Sequence, residues 1–437
     1  MRRLAWIATL ATLSACGSGD SPSGPAAPEP VAAQTQSVSE DPQASTALAL
    51  PTPAPADVPV LQSIPPATND ETPTRAPTAG STKLPLAGAG LAMPSVLRQT
   101  IASGLAAPTD MAFSSDGILF YTERLQGLFV QRPGQPAAPL FAPKELAAGG
   151  SLGMLSVAVD PDFTRNRFVF IFVKTVADGV DAGRVVRLTL DETSAKVIDR
   201  REILIVVADP PAARGAPQVG GGLRFGPDGF LYVGLGDGRA ATTPQSPSQL
   251  TGKVLRIDRE GKAAPSNRPP AGFDGRIYAY GVRDPVALAF HPNTETLLVA
   301  QRRGSRPDDL IWLQTGANAG WDPRCSAAES GYCEATSDAG AADRGWRGGK
   351  AGEGVTAVER LRDPMWREWR NAFVVAFDKA QRLDLVKFDS QGRVVQSTPI
   401  VQRLGVGFKA VAQGPDALYV MTSGKRGGEE IWRLSAQ

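Results

Sequence analysis

Short hydrophobic runs, each preceded by a turn that contains Asp or Asn, recur along most of the 437-residue chain. The clearest copies are SSDGILFYTE (114–123), GPDGFLYVGLGD (226–237), HPNTETLLVAQ (291–301) and GPDALYVMTS (414–423). Degenerate copies are DPDFTRNRFVFIFV (160–173) and AFVVAFDK (372–379). Asp-Gly turns beside β-branched and aromatic residues indicate hairpins rather than helices.

A second short strand follows each copy and ends on a charged or polar residue. These strands are GLFVQR (127–132), RVVRLTLD (184–191), KVLRIDRE (253–260), DLIWLQ (309–314), RLDLVKFD (382–389) and EIWRLS (430–435). Six pairs give a repeat of about 55–60 residues, enough for a four-stranded blade with loops. We therefore predict an all-β fold, a six-bladed β-propeller over 95–437, with loops at 265–273 and 326–350. A β-sandwich and a right-handed β-helix are the alternatives.

The first 15 residues have the layout of an export signal. Arg2 and Arg3 precede a largely apolar run, 4–13, that is too short to span a bilayer. The tetrad LSAC (13–16) resembles a bacterial lipobox, which makes Cys16 the lipidated first residue of the mature chain. Gly17 then favours outer-membrane sorting, so we expect a membrane-anchored lipoprotein of the bacterial cell envelope that faces the periplasm.

Residues 16–94 have a composition unlike the rest of the chain. This stretch is rich in Pro, Ala, Ser and Thr and contains no Phe, Trp or Tyr. Such a segment cannot bury enough apolar surface to offset its ordering entropy. We predict a disordered tether between the lipidated Cys16 and the propeller.

The amino-acid composition limits which partners and which kinds of site are possible. Lys+Arg 46 against Asp+Glu 44 leaves a net charge of +2 with no basic run, so we expect no nucleic acid as a partner. Separately, we expect a monomer. One histidine, His291, excludes a His-rich zinc site. In an exported protein, Cys325 and Cys333 within CSAAESGYC are expected to form a loop disulfide, with free thiols as the alternative.

The ordered phrases resemble the glucose/sorbosone dehydrogenase family, soluble six-bladed propellers that bind pyrroloquinoline quinone (PQQ) and calcium. The resemblance covers 97–437 and rests on SGLAAPTDMAFSSDGILFYTER, SLGMLSVAVDPDF, GGGLRFGPDGFLYVGLGDG, TGKVLRIDREG, IYAYGVRDPVALAFHP and ANAGWDP. It implies oxidation of an aldose at C1 to the lactone, with the electrons passed to PQQ. A histidine base, cations for the quinone carboxylates and a calcium ion would supply that chemistry.

Some of the family's functional residues are retained in this sequence, and others are replaced. The histidine base falls on Gln218, which cannot accept the proton, and the family's neighbouring arginine falls on Gly222. The family's Arg-Asn pair becomes Arg283 and Asp284, with the arginine retained. These departures put the dehydrogenase activity in doubt.

The remaining family positions lie later in the chain. The resemblance places calcium at the backbone carbonyls of Gly304 and Ser305, where Arg302 and Arg303 bring positive charge close. The quinone-contacting lysine aligns at Asp378, or at Lys379 with a one-residue slip. A late Arg-x-Arg pair aligns at Gly407 and Lys409. The implied PQQ contacts are Arg283, Asp284, Lys379 and Lys409.

Several interpretations stay open from the sequence. Asp284 or Asp237 is a candidate carboxylate base, and the alternative for Asp237 is a structural turn cap. His291 lies in a phrase turn, so we expect it on the outer side of a blade. Arg302, Arg303 and Arg306 form either an anion-binding patch or a solvated loop face. The segment 366–369 resembles the family's PxWR and is expected to pack beneath the fifth blade.

Three functions are compatible with this sequence. The first is an envelope-anchored PQQ-dependent sugar dehydrogenase, an oxidoreductase that acts on CH–OH groups. The second is a propeller that has lost catalysis and serves as a ligand-binding or envelope interaction module. The third is a calcium-dependent lactonase-like propeller, which requires carboxylate and amide ligands that converge at the mouth.

The lipobox predicts that Cys16 carries the membrane anchor. Replacing Cys16→Ala should move the protein from the membrane fraction to the periplasmic fraction, or leave its signal uncleaved, because the acyl chains supply the attachment. Immunoblots of fractionated cells measure this, and Cys325→Ala is the matched control that should stay with the membrane. Unchanged membrane fractionation of Cys16→Ala would contradict the prediction.

Overall fold

The computed structural model describes residues 60–61, 91–143, 146, 153–177, 180–207, 220–240, 242–294, 296–304, 306–322, 345–424 and 427–437. All of them belong to one compact unit, Asp57–Gln437. Its first strands are β1 (Val60–Leu61) and β2 (Val96–Leu105), which pair antiparallel. Among the described residues, no helix is long and apolar enough to cross a membrane.

Blades 1 and 2 are four-stranded antiparallel sheets built from consecutive strands. Blade 1 comprises β3 (Pro108–Phe113), β4 (Leu119–Glu123), β5 (Gly127–Gln131) and β6 (Ala138–Phe141). Blade 2 comprises β7 (Gly153–Val159), β8 (Phe168–Ala177), β9 (Val180–Leu190) and β10 (Val197–Val206). A single-turn helix, α1 (Phe163–Asn166), fills the turn between β7 and β8.

Blades 3 to 5 repeat the same order of four antiparallel strands. Blade 3 comprises β11 (Gly220–Phe225), β12 (Leu231–Leu235), β13 (Lys253–Ile257) and β14 (Ile277–Tyr280). Blade 4 comprises β15 (Pro285–Phe290), β16 (Leu297–Gln301), β17 (Pro307–Leu313) and β18 (Gly345–Ala351). Blade 5 comprises β19 (Val355–Arg360), β20 (Phe373–Phe377), β21 (Arg382–Phe388) and β22 (Val394–Gln402). Short 3₁₀ helices span Thr243–Gln245 and Pro364–Trp369.

Blade 6 joins the two ends of the folded part. Its first three strands are β23 (Gly407–Gln413), β24 (Leu418–Ser423) and β25 (Glu429–Ala436), and β2 from the start of the fold is its fourth. The pairing of β2 with β25 runs from Val96 opposite Ala436 to Leu105 opposite Glu429. The six-bladed propeller predicted from the repeated phrases is therefore confirmed.

The hydrophobic core is divided among the six interfaces between neighbouring blades. Strand β4 shows why, since successive side chains of a strand point to opposite faces. Phe120 packs with residues of blade 2, whereas Leu119 and Tyr121 pack with residues of blade 6. The phrase turns that precede these strands end in glycines with positive φ, Gly117 (φ +84) and Gly229 (φ +76), a conformation that favours glycine.

Two sequence-based boundaries differ from the structure. Part of the predicted loop 326–350 is strand β18, which pairs with β17 although its sequence, GWRGGKA, has few β-favouring residues. The folded part also begins before residue 95, because the Leu91 amide donates to Gln396 Oε1 at 2.9 Å. The predicted signal peptide, Cys16, Cys325 and Cys333 lie outside the described residues.

Trp366 and Trp369 are both 1% exposed and lie in the core between blades 5 and 6, which agrees with the packing expected for segment 366–369. Trp369 Nε1 also donates to the Ala92 carbonyl at 2.8 Å. This bond fastens the incoming chain to the propeller.

Removing the Trp369 ring should destabilise the propeller because it leaves a large void in this core. We expect Trp369→Ala to lower the free energy of unfolding by about 3–5 kcal/mol. Trp369→Phe keeps most of the packing but loses the bond to Ala92, so it should cost about 1–2 kcal/mol. Urea denaturation measures both, with the exposed Ile198→Ala as the neutral control. A cost below ~1 kcal/mol for Trp369→Ala would contradict this packing.

Candidate functional site

A central cavity of about 900 Å³ lies where the first strands of the six blades meet. Its walls come from the first strand of each blade, and its mouth comes from residues at the end of the second strand. The register explains this arrangement, since Pro108 at the start of β3 lies opposite Glu123 at the end of β4. The phrase turns, such as 114–117, lie at the opposite end of each blade.

Four blades place a cation at the mouth, shortly after their second strand. These residues, which we call the cation ring, are Arg124 in blade 1, Arg239 in blade 3, Arg302 in blade 4 and Lys379 in blade 5. Arg124 and Arg302 each directly follow the second strand, whereas Lys379 lies one residue further along and Arg239 three residues further along. In blade 6 this end carries Ser423 and Gly424, and in blade 2 residues 178–179 lie outside the described part of the chain.

Arg302 is the best-anchored member of the cation ring. Its Nε donates to the Val355 carbonyl at 2.9 Å, and its Nη1 lies 3.9 Å from Asp284 Oδ2. The side chain stays 42% exposed toward the cavity. Burial and the nearby positive charge of Arg302 lower the pKa of the Arg124 guanidinium. Two like charges therefore face each other across part of the mouth.

Lys409, Asp378 and Ser423 form a hydrogen-bonded cluster on the wall between blades 5 and 6. The Lys409 ammonium and the Ser423 hydroxyl both donate to the Asp378 carboxylate. Burial alone would raise the pKa of Asp378, but these hydrogen bonds and nearby Arg302 outweigh burial and lower it. Lys409 is thus already paired with a carboxylate.

Asp378 also fills the space beside Gly407. A Cβ atom at Gly407 would lie 2.2 Å from the Asp378 carbonyl oxygen and 2.6 Å from Asp378 Oδ1. A larger residue at this position, such as the arginine of the family's late pair, therefore does not fit next to Asp378.

Polar contacts between blades line the inner wall of the cavity. Asp110 Oδ2 of blade 1 accepts hydrogen bonds from Ser156 Oγ at 2.6 Å and from the Val157 amide at 3.0 Å, both in blade 2. Arg224 of blade 3 forms an ion pair with Glu359 of blade 5. Burial raises the pKa of Asp110 to about 6.

The structure separates the family-derived site residues into two groups. Asp284, Lys379 and Lys409 line the cavity, whereas Arg283 and Gly304 are not among the lining residues. The Arg283 guanidinium lies 5.1 Å from the centre of the Trp321 ring. A Cβ at Gly304 would lie 2.1 Å from Arg283 Nη1, so these two residues contact each other outside the cavity. Gln218 and Ser305 lie outside the described residues.

Three other residues that the sequence raised as site candidates form hydrogen bonds or ion pairs with neighbouring residues. Asp237 accepts hydrogen bonds from Trp321 Nε1 and the Arg239 amide, both at 2.8 Å, as a turn cap does. His291 Nδ1 accepts from the Asn293 and Thr294 amides at 3.2 Å, in a phrase turn away from the mouth, as expected. Arg303 is buried in an ion pair with Asp309 at 2.9 Å. Of the three arginines in the predicted anion patch, Arg302 alone is among the described lining residues.

Arg124, Arg239 and Asp110 line the cavity but are not among the residues predicted from the sequence. A signal for the two arginines was present, because a cation ends or follows the repeated phrases at YTER (121–124), GLGDGR (234–239), VAQR (299–302) and AFDK (376–379). Asp110 had no comparable signal, since its contact with Ser156 joins residues from different blades.

The fold and the cavity together define a six-bladed propeller with a ligand pocket on its axis. The sequence profile of the glucose/sorbosone dehydrogenase family matches residues 105–433, and the chain belongs to this family. The aldose sugar dehydrogenase of Escherichia coli (strain K12) is 27% identical over 313 residues, which cover 68% of this chain and 81% of that protein.

Two solved structures show the same fold. The soluble aldose sugar dehydrogenase of Escherichia coli in its apo form has a TM-score of 0.68 at 23% identity, over 78% of this chain and 100% of that chain. The PQQ-bound aldose sugar dehydrogenase of Streptomyces coelicolor has a TM-score of 0.63 at 20% identity, over 79% of this chain and 100% of that chain.

The raised pKa of Asp110 predicts a specific pH dependence of stability. Because the pKa of Asp110 in the folded state, about 6, lies above the ordinary aspartate value of 3.8, the contribution of Asp110 to stability is largest below the unfolded pKa and is lost as pH rises through 6. Relative to Asp110→Asn, the wild type should therefore gain stability as pH falls from about 7 to about 4.5, by up to about 2 kcal/mol.

Denaturant unfolding at several pH values measures this difference. Ser156→Ala removes a hydrogen bond that lowers the Asp110 pKa, so it should move the transition to higher pH. Parallel pH profiles for the wild type and Asp110→Asn would contradict the assignment.

Proposed function

We propose that this protein is a ligand-binding member of the family, with the central cavity as the site for a small sugar-type ligand, and that calcium–PQQ redox chemistry has been lost. The observation that carries this proposal is Asp378. Its carboxylate neutralises Lys409, and its backbone carbonyl, Ser423 Oγ and its own Oδ1 crowd the space beside Gly407, where the family resemblance calls for two cations.

At the positions that the family resemblance assigns to the quinone contacts, the described residues do not fit the quinone. PQQ carries carboxylates, which require cationic partners that are not already neutralised. Lys409 is paired with Asp378, and Arg283 packs against Trp321 outside the cavity. Of the family-derived cations, Lys379 remains as an exposed side chain on the cavity lining.

The described residues do not fit calcium either. Calcium prefers several oxygen ligands, with carboxylates prominent among them. Gly304 instead lies against the Arg283 guanidinium, and the described part of the chain holds no group of three or more His, Cys, Asp and Glu residues that could bind a metal.

A sugar-type ligand suits the cavity that remains. The cavity volume lies within the range typical of small-molecule sites. Its wall includes the backbone of Gly220, Gly221 and Gly222, which bears no side chains, and its mouth carries both cations and carboxylates that can bind hydroxyl groups. The activity named for the Escherichia coli relative, aldose sugar dehydrogenation, points to the same substrate class.

The proposed setting is the bacterial cell envelope. The lipobox at 13–16 supports a lipid anchor on Cys16, and the proline-rich composition of 16–94 supports a tether that holds the propeller away from the membrane. The propeller would then meet small solutes of the periplasm.

PQQ-dependent sugar oxidation is the second candidate. The family match over residues 105–433 favours it, and Lys379 retains the position of the quinone-contacting lysine if the one-residue slip is allowed. In that case Lys379 would bind a quinone carboxylate, and PQQ would supply the hydride acceptor when bound.

Titration calorimetry with PQQ, with and without calcium, separates the two candidates. We expect no saturable PQQ binding and no aldose oxidation by the wild type, because the cations that the quinone requires are paired or displaced. The PQQ-bound enzyme of Streptomyces coelicolor is the positive control. Calcium-dependent PQQ binding with sugar oxidation at ordinary enzyme rates would contradict the proposal.

Gln218, at the position of the family's histidine base, provides a second test of the two candidates. A general base typically contributes about 10²–10⁴-fold to a rate. If PQQ binds but turnover is slow, Gln218→His should raise turnover, and the dehydrogenase candidate would then be favoured. Under the proposed loss of the cofactor site, Gln218→His changes nothing.

A further inference from the structure

The cavity lining carries more positive than negative side chains. Its cations are Arg124, Arg224, Arg239, Arg302, Lys379 and Lys409, and its carboxyl groups are Asp110, Asp284, Asp378 and Glu429. Arg224 is paired with Glu359, and Lys409 is paired with Asp378. The other four cations of the lining are the members of the cation ring, and two carboxylates, Asp284 at 3.9 Å from Arg302 Nη1 and Glu429, line the same mouth.

We propose that the ligand of this cavity is a carboxylated sugar, a uronic or aldonic acid, whose carboxylate binds between Arg124 and Arg302. This inference rests on the proposed function, because it names the class of ligand for the same cavity. The two arginines lie at equivalent mouth positions of blades 1 and 4, and both line the cavity.

Electrostatics favours an anion at this place. Both guanidinium groups line the cavity, and their positive charges repel each other; burial first and this repulsion second lower the pKa of Arg124. A bound carboxylate relieves this repulsion. A concave site lined by one sign of charge also concentrates its field, so it attracts a small anion more strongly than a flat surface does.

Guanidinium groups favour a carboxylate in particular. Each presents a planar fork of N–H donors that matches the two oxygens of a carboxylate. Arg302 uses its Nε on the Val355 carbonyl, which fixes the plane of the group while 42% of the side chain stays exposed.

The acidic groups at the same mouth limit the ligand to a single negative charge and favour hydroxyl groups. Asp284 Oδ2 lies 3.9 Å from Arg302 Nη1, and Glu429 lines the blade 6 side of the cavity. Carboxylates accept hydrogen bonds from sugar hydroxyls, but they repel a phosphate dianion or another polyanion. A ligand with one negative charge and several hydroxyl groups can therefore bind both the cations and the carboxylates of this mouth.

Calorimetric titration of the full chain with D-glucuronate, D-glucose and acetate tests the inference. We expect D-glucuronate to bind at least ~10-fold more tightly than D-glucose or acetate, since only D-glucuronate offers both a carboxylate and hydroxyls. Raising the NaCl concentration from about 50 to about 200 mM should weaken the binding of D-glucuronate and leave the binding of D-glucose unchanged.

Two variants locate the carboxylate. Arg302→Gln and Arg124→Gln should each lower D-glucuronate affinity by ~10-fold or more while the affinity for D-glucose stays the same. The control is Arg165→Gln, because Arg165 is 80% exposed and pairs with Asp162 on the α1 segment. Thermal unfolding verifies that each variant is folded.

The outcomes separate the inference from the proposed function. Equal affinity for D-glucose and D-glucuronate would overturn the carboxylate assignment and leave the sugar site standing. Equal affinity for acetate and D-glucuronate would overturn the sugar-acid class, because the site would then recognise a bare anion. Binding of neither sugar would overturn both.

Discussion

The pairing of β2 with β25 is the constraint on which the rest of the structure depends. It joins the start of the folded part to its end, from Val96 opposite Ala436 to Leu105 opposite Glu429. This closure turns six similar sheets into a ring, and it buries an apolar layer between every two neighbours. Because the ring is closed, equivalent positions of all blades meet at one axis.

The cavity is a direct consequence of that symmetry. A cation after the second strand would be a scattered surface charge in an open array of hairpins, but in a closed propeller four such cations form one ring. Polar contacts between blades, from Asp110 to Ser156 and from Arg224 to Glu359, join the strands that line the cavity. The fold thus brings cations from four separate blades to one central cavity.

The same geometry explains why family membership and site chemistry diverge. The packing that defines the family lies between the blades, where substitutions at the mouth are not felt. Asp378 changes the site without disturbing that packing, since its carboxylate is stabilised by Lys409 and Ser423. Under the proposed function, the loss of a cation at Gly407 and the gain of the Asp378 carboxylate would alter the ligand while the propeller stays intact.

The strands and the blade number could be predicted because turns such as SSDG (114–117) and GPDG (226–229) are local signals. Strand β18 could not be predicted, because its glycine-rich sequence carries no local strand signal. It forms a strand because it pairs with β17 in the folded blade. Arg283 has the expected place in the chain, but its stacking on Trp321 depends on side-chain packing that no motif encodes.

The most direct test is a crystal structure grown with D-glucuronate, PQQ and calcium present together. The account predicts that the sugar acid occupies the cavity with its carboxylate within hydrogen-bond distance of the Arg124 and Arg302 guanidinium groups. Electron density for PQQ on Lys379 and Lys409, with calcium at the Gly304 carbonyl, would contradict it.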